Sequence, residues 1–214
     1  ARQFGKTTTL YLLEKYLKEQ YVIIRLSFEI ADELFNSLYS FSKGLVYIIY
    51  NELKNQGIDK NILDKWNQPV SHEFPFNSLS RHITELCKES NKKIILMIDE
   101  IDKSSDNQIF LSFLGLLRNK YLEQQQQRDT TFQSVILAGV YDIKNLKLKL
   151  HPGDEPKYNI PWNIASDFMV DMCFYPEEIP DMLSIYEEDF HTGMDIKNIS
   201  SLIYEYTCGY PYMV

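Results

Sequence analysis

The chain has 214 residues, 44% hydrophobic and 24% charged, which fits one large folded domain, alone or with a small appendage, and excludes an intrinsically disordered segment. No apolar run approaches the about 20 residues that cross a bilayer as a helix, and the opening ARQFGKTTTL is no secretory signal, so a cytoplasmic location without membrane insertion is expected. Lys and Arg number 22 against 30 Asp and Glu; the net charge of −8 repels a polyphosphate backbone and disfavours a nucleic-acid coat, while leaving room for a local basic strip.

In chain order, residues 7–20 set Leu10, Leu13 and Leu17 at helical spacing. YVIIRLSF, 21–28, is a β-branched, aromatic run of strand length, and 31–53 returns to helical periodicity. The polar stretch 55–75, with Gly57, Pro69 and Pro75, reads as an exposed, loop-rich excursion around short helices. A helix over 78–90 leads into KIILMI, 93–98, a continuous apolar run suited to a parallel strand buried on both faces. Ser105 and Gln108 offer a capping box for a helix that carries Ile109, Phe110, Phe113, Leu114 and Leu117 and ends near Tyr121. The glutamine run within 123–128 is a solvated helix end or loop, and SVILAGV, 134–140, is another strand of the buried type. An irregular loop over 142–166 is followed by an alternating strand at 168–174, a helix opened by Pro176, a helix over 196–206, and the Gly209-Tyr210-Pro211 punctuation.

Phe4-Gly5-Lys6-Thr7-Thr8 at a helix start is the second half of the Walker A pattern GxxxxGK[ST]. Backbone N–H groups of a loop running onto a helix N-terminus suit phosphate oxygens, Lys6 adds a point charge at the β and γ phosphates, and the Thr7 hydroxyl suits Mg²⁺. About ninety residues downstream the KIILMI run ends in Asp99-Glu100, where a Walker B element belongs. There Asp99 would hold Mg²⁺ and Glu100 would polarise the water attacking the γ-phosphate. Asp102 could assist the metal, but helix entry or surface charge explains it as well. Tyr141 or Asp142, after the next strand, could report the γ-phosphate state, or simply begin a polar loop. Arg118 is either an arginine finger for a neighbouring subunit or a surface ion pair. Arg2, just inside the phosphate loop, suits phosphate and carboxylate equally.

His72, His82, His151 and His191 have no ligand spacing, and no GxSxG nucleophile motif is present. Cys87, Cys173 and Cys208 are far apart and form no ligand cluster, so reduced, mostly buried thiols are expected. Glu155-Pro156-Lys157 is set aside as a nuclease-type ExK because its proline opposes the strand such a site needs.

ARQFGKTTTLYLLEKYL, IILMIDEID, FLGLLRNKY, SVILAGVYDIKNL, PWNIASDFMVDMCFYPEEI and TCGYPYMV together resemble the bacterial AAA-ATPase-like family, P-loop ATPases near the STAND and archaeal-ATPase groups. Their phosphate loop reads RxRxFGK[ST] without the usual first glycine. The resemblance implies an α/β, three-layer P-loop fold of the additional-strand, RecA-like type, with parallel sheet order 5-1-4-3-2. By it, residues 1–175 form the ATPase core and 176–214 a small helical lid. By the same resemblance, Lys6 and Thr7 look like the Walker A pair and Asp99 and Glu100 the Walker B pair; the candidate nucleotide contacts are Arg2, Gln3, Phe4, Gly5, Lys6, Thr7 and Thr8, the candidate metal ligands Thr7 and Asp99, and the candidate catalytic residues Glu100 and Lys6. Pro211, in a GxP-like corner, would lie near the adenine. WNIASDF is characteristic of the family without a chemical role. The strand that feeds the phosphate loop, central in this topology, is missing from the chain, so residues 1–214 alone are expected not to fold stably.

The expected activity is Mg²⁺-dependent ATP binding with slow hydrolysis, as a conformational switch in a larger multidomain protein. The alternative is a nucleotide-gated module that binds protein or nucleic acid with negligible hydrolysis. Expected partners are ATP and either copies of the chain or a C-terminal effector domain.

Overall fold

A computed structural model describes residues 5–28, 32–101, 108–139, 166 and 173–214. Two compact units emerge: Leu10–Ala165, and Ala1–Thr9 with Ser166–Val214. The elements run α1 (Lys6–Leu17), β1 (Val22–Ser27), a 3-10 helix (Asp32–Asn36), α2 (Leu38–Asn55), α3 (Lys60–Trp66) and α4 (Pro75–Glu89). There follow β2 (Ile94–Asp99), α5 (Gln108–Gln125), β3 (Ser134–Leu137), α6 (Ile179–Phe190) and α7 (Ile196–Thr207).

The three strands form a parallel sheet ordered β1-β2-β3. β1 and β2 pair from Val22↔Ile94 to Ser27↔Asp99, and β2 and β3 from Ile95↔Ser134 to Ile98↔Leu137. Because successive strand side chains alternate faces, this register sorts the core in two. Val22, Ile24 and Leu26 with Ile94, Leu96 and Ile98 pack against α2, α4 and α5. Ile23, Ile95 and Met97 meet Leu10 of α1, with Leu13 and Leu17 beside them. The sheet therefore has helices on both faces, and Asp99, which shares the parity of Ile95 and Met97, belongs to the α1 face.

Several sequence expectations need correction. The helix expected over 31–53 is two elements, because Ser37 is extended (φ −160°, ψ 162°) and its hydroxyl accepts the Ser40 N–H, capping α2 afresh. The 55–75 excursion is not wholly exposed: α3 inserts Leu63 and Trp66 into the core, and the indole N–H donates to the Val46 carbonyl at 2.8 Å. α5 continues past Tyr121 to Gln125, taking in the first two glutamines of the run, while Gln126 and Gln127 follow in an exposed turn. β3 is only partly covered, with Ser134 exposed and Val135, Ile136 and Leu137 half-buried, because it is the last strand of the described sheet. The strand expected at 168–174 and the capping box at Ser105 lie outside or largely outside the described residues.

α4, α5 and the approach to β3 are tied by a buried charge cluster. Lys120, 2% exposed, donates to Asp129 at 2.5 Å and to the Thr84 hydroxyl at 2.7 Å, while Thr84 donates to Asp129 at 2.8 Å. Desolvation raises the Asp129 pKa, but the bonds from Lys120, Thr84 and the Thr130 N–H outweigh it and hold the carboxyl below its ordinary range. Because the folded pKa is depressed, this stabilisation is complete above the unfolded pKa and is lost as pH falls through the folded one. Lys120→Met should cost about 1.5–3 kcal/mol by taking a charge-assisted hydrogen bond from the half-buried Asp129, read as a lower urea midpoint at pH 7. The loss should shrink in acid as Asp129 protonates.

In the second unit the helix expected from Pro176 opens at Ile179, with Pro180 in its first turn, where the missing N–H breaks no helical bond. α6 ends at His191 (φ 50°), and Glu187 reaches forward to accept hydrogen bonds from Thr192 and the Gly193 N–H. α7 ends at Cys208 (φ 49°), which leaves that thiol exposed rather than buried as expected. Gly209 follows with φ 73°, and a Cβ there would lie 2.0 Å from the Phe174 carbonyl oxygen, so only glycine fits. The Phe174 N–H donates to the Gly209 carbonyl at 2.8 Å, pinning the end of α7. No described helix is long and apolar enough to cross a membrane.

Candidate functional site

α1 begins directly at Lys6, after Gly5 at φ 68°. The left-handed turn is open to glycine at little cost, and it lets the Gly5 carbonyl accept the Thr9 N–H at 2.8 Å as the helix begins. The first N–H groups of any α-helix have no carbonyl one turn behind them within the helix, and with the helix dipole they favour an anion. Lys6 is half-buried here, and Thr7 and Thr8 are exposed. Downstream in the same helix Leu10 seats α1 on the sheet. Arg2, Gln3 and Phe4 lie outside the described residues.

At the C-terminal end of β2, which carries the Asp99-Glu100 pair, the backbone departs from a regular strand. Ile98 accepts the Ala138 N–H at 2.8 Å, but the Ala138 carbonyl takes the Ile101 N–H at 3.2 Å, one residue later than a regular parallel ladder would give. Glu100 is the extra residue and sits at φ 56°, a left-handed conformation that costs a side-chain-bearing residue about 1 kcal/mol or more. Such bulges re-aim a side chain where a strand ends. Glu100 is half-buried, whereas Asp99 is 4% exposed.

The Asp99 carboxylate is not left alone in that burial. Its Oδ1 accepts the Glu100 N–H at 3.0 Å, and its Oδ2 lies 3.6 Å from a guanidinium nitrogen of Arg25 on β1. The other terminal nitrogen of Arg25 lies 3.6 Å from Glu14 of α1. Neither Arg25 nor Glu14 belongs to a motif; the helical spacing sets Glu14 only on a face away from Leu10, Leu13 and Leu17. The available signal was Arg25 as the one charge in VIIRLS, at the parity of Ile23 and hence on the α1 face.

Arg118 sits half-buried in the second half of α5, and Pro211 half-buried after α7. Tyr141, Asp142, Asp102 and the WNIASDF stretch lie outside the described residues, except Ser166. His82 is buried, with its ring nitrogens 2.7 Å from the Ser78 carbonyl and 3.0 Å from that of Gln68, a structural bridge between α4 and the segment before it. Burial pushes the Cys87 thiol up to about 12, so it stays protonated and is no nucleophile at neutral pH. Among the described residues no three His, Cys, Asp or Glu side chains gather as a metal site.

A parallel α/β sheet with an acidic strand end, in a chain that also carries a helix headed Gly-Lys-Thr-Thr, is a combination that many families share. What decides among them is a profile of the AAA-like domain, which matches residues 1–214. The chain belongs to the AAA-like domain family. Among curated proteins, none matches it. Membership of the AAA-like domain implies nucleotide-binding, ATPase-related function. The described sheet and seven α-helices agree with the α/β, P-loop architecture of such a domain.

Proposed function

We propose that this AAA-like domain binds Mg·ATP, hydrolyses it slowly, and acts as a conformational switch in a larger protein. The observation that carries the reading is the end of β2, where Asp99 has the parity of the α1 face and Glu100 is turned out of the ladder by a bulge. The left-handed Gly5 at the head of a helix that begins Lys6-Thr7-Thr8 supports it.

On this reading the 2–8 segment, with Arg2, Gln3, Phe4, Gly5 and Thr8, lines the phosphates, and Lys6 compensates their charge. The donor set fits Mg²⁺, since the Thr7 hydroxyl and the Asp99 carboxylate are hard oxygen ligands of the kind this ion takes. Mg²⁺ would supply charge neutralisation at the phosphate oxygens. Glu100 would orient and polarise the attacking water. Tyr141 would meet the γ-phosphate and Pro211 the adenine side, and Arg118 would act only in an assembly, offered to a neighbouring copy. The order β1-β2-β3 would be the 2-3-4 run of a 5-1-4-3-2 sheet, with residues 1–175 as the core and α6 and α7 in a lid over 176–214.

The test is equilibrium binding and phosphate release by the full-length protein with Mg·ATP and Mg·GTP. Preferential ATP binding with measurable turnover is expected. Tight binding without turnover would replace the switch by a nucleotide-gated interaction module. Equal binding of both nucleotides would remove the adenine contact from the reading.

A further inference from the structure

A carboxylate as buried as that of Asp99, 6% exposed, needs a counter-charge, and the strand beside it supplies one in Arg25. The arrangement is unusual in that one guanidinium faces two carboxylates at the same separation, 3.6 Å to Asp99 on β2 and 3.6 Å to Glu14 on α1. Neither approach is short enough for a hydrogen bond, so both attractions are Coulombic and the planar fork is committed to neither partner. All three residues lie on the α1 face of the sheet, and Glu14 and Arg25 keep roughly a third and a quarter of their side chains exposed, at 32% and 26%. Arg25 can therefore shift between the two carboxylates without being drawn from water into the core.

We propose that Arg25 is an internal cation that neutralises Asp99 and is drawn toward Glu14 when a divalent ion takes that carboxylate, so that the Glu14–Arg25 pair sets the affinity of the site for Mg²⁺. The inference rests on the Mg·ATP reading and extends it to two positioning residues that do not touch the nucleotide. Its signature is a pair of opposite signs. Arg25→Gln removes a competing positive charge and should tighten divalent-ion binding about tenfold, a little above the strength of unit charges a few ångströms apart in water, since Arg25 is partly exposed. Glu14→Gln removes the alternative anion, leaves Arg25 on Asp99, and should weaken ion binding several-fold. Because Glu14 acts through Arg25, the double variant should stay close to Arg25→Gln. A merely structural ion chain would instead weaken ion binding in both single variants.

The measurement is a titration of Mn²⁺ into the full-length protein carrying one equivalent of ADP, with free ion followed by electron paramagnetic resonance. Arg25→Lys, which keeps the charge, should stay near the parent. Weaker or unchanged ion binding in Arg25→Gln, or tighter or unchanged binding in Glu14→Gln, overturns the proposal. Should Arg25→Gln fail to fold, Glu14→Gln and Arg25→Lys decide it. A parent that binds no ADP brings down the nucleotide reading and this inference together, whereas normal ADP and Mn²⁺ binding with unmoved variants brings down this inference alone.

Discussion

Lys6→Ala is expected to weaken Mg·ATP binding about a hundredfold, roughly 3 kcal/mol, the upper range for one charge-assisted contact to an anion. The size follows from its place. Lys6 is the first residue of α1, where the helix dipole already favours an anion, and it follows a glycine whose φ of 68° turns the chain onto the helix. A fluorescent ATP analogue titrated into parent and variant measures the loss. The apolar seating of this helix, by Leu10 with Leu13 and Leu17 beside it, is untouched by the substitution. An unchanged dissociation constant would take the GKTT turn out of the binding site, and a large fall in melting temperature would make Lys6 a folding residue instead.

The sequence announced the strands well because their signal is local. VIIRLS, IILMID and SVIL are apolar runs of strand length, and the abrupt change to Asp99-Glu100 marks where β2 stops. Interactions between distant segments left no such mark. Lys120 reads as the polar side of an amphipathic helix, yet it is among the most buried side chains, because Asp129 and Thr84 come to it from other segments. Arg25 reads as an interruption in a strand until the register with β2 brings it to Asp99. Ser37 was legible in principle, as an N-cap residue immediately before Leu38, but helical periodicity on both sides hid the break. Trp66 shows the opposite error: a polar neighbourhood predicts an exposed insert, yet burial of Leu63 and Trp66, with the indole N–H bonded to the Val46 carbonyl, seats α3 in the core.

The left-handed Glu100 is the feature no periodicity could announce, and it yields the second large effect. On the proposed mechanism Glu100→Gln should keep ATP affinity close to the parent while phosphate release in a single turnover falls on the order of a hundredfold to a thousandfold, as for loss of a positioned general base. Glutamine has nearly the same shape and would hold the same φ of 56°, so the variant isolates the charge from the backbone. Glu100→Gly separates them the other way. Glycine accepts a left-handed φ freely, so its relief of strain, about 1 kcal/mol, should offset the greater freedom it gives the unfolded chain and leave the protein as stable as the parent or slightly more so. It should be as inactive as Glu100→Gln. If glycine instead destabilises the fold by several kcal/mol, the Glu100 side chain is holding the end of β2 together, and its position out of the ladder owes more to packing than to catalysis. Retained stability with lost hydrolysis would mean that this strand end keeps a costly conformation because the carboxylate is needed there.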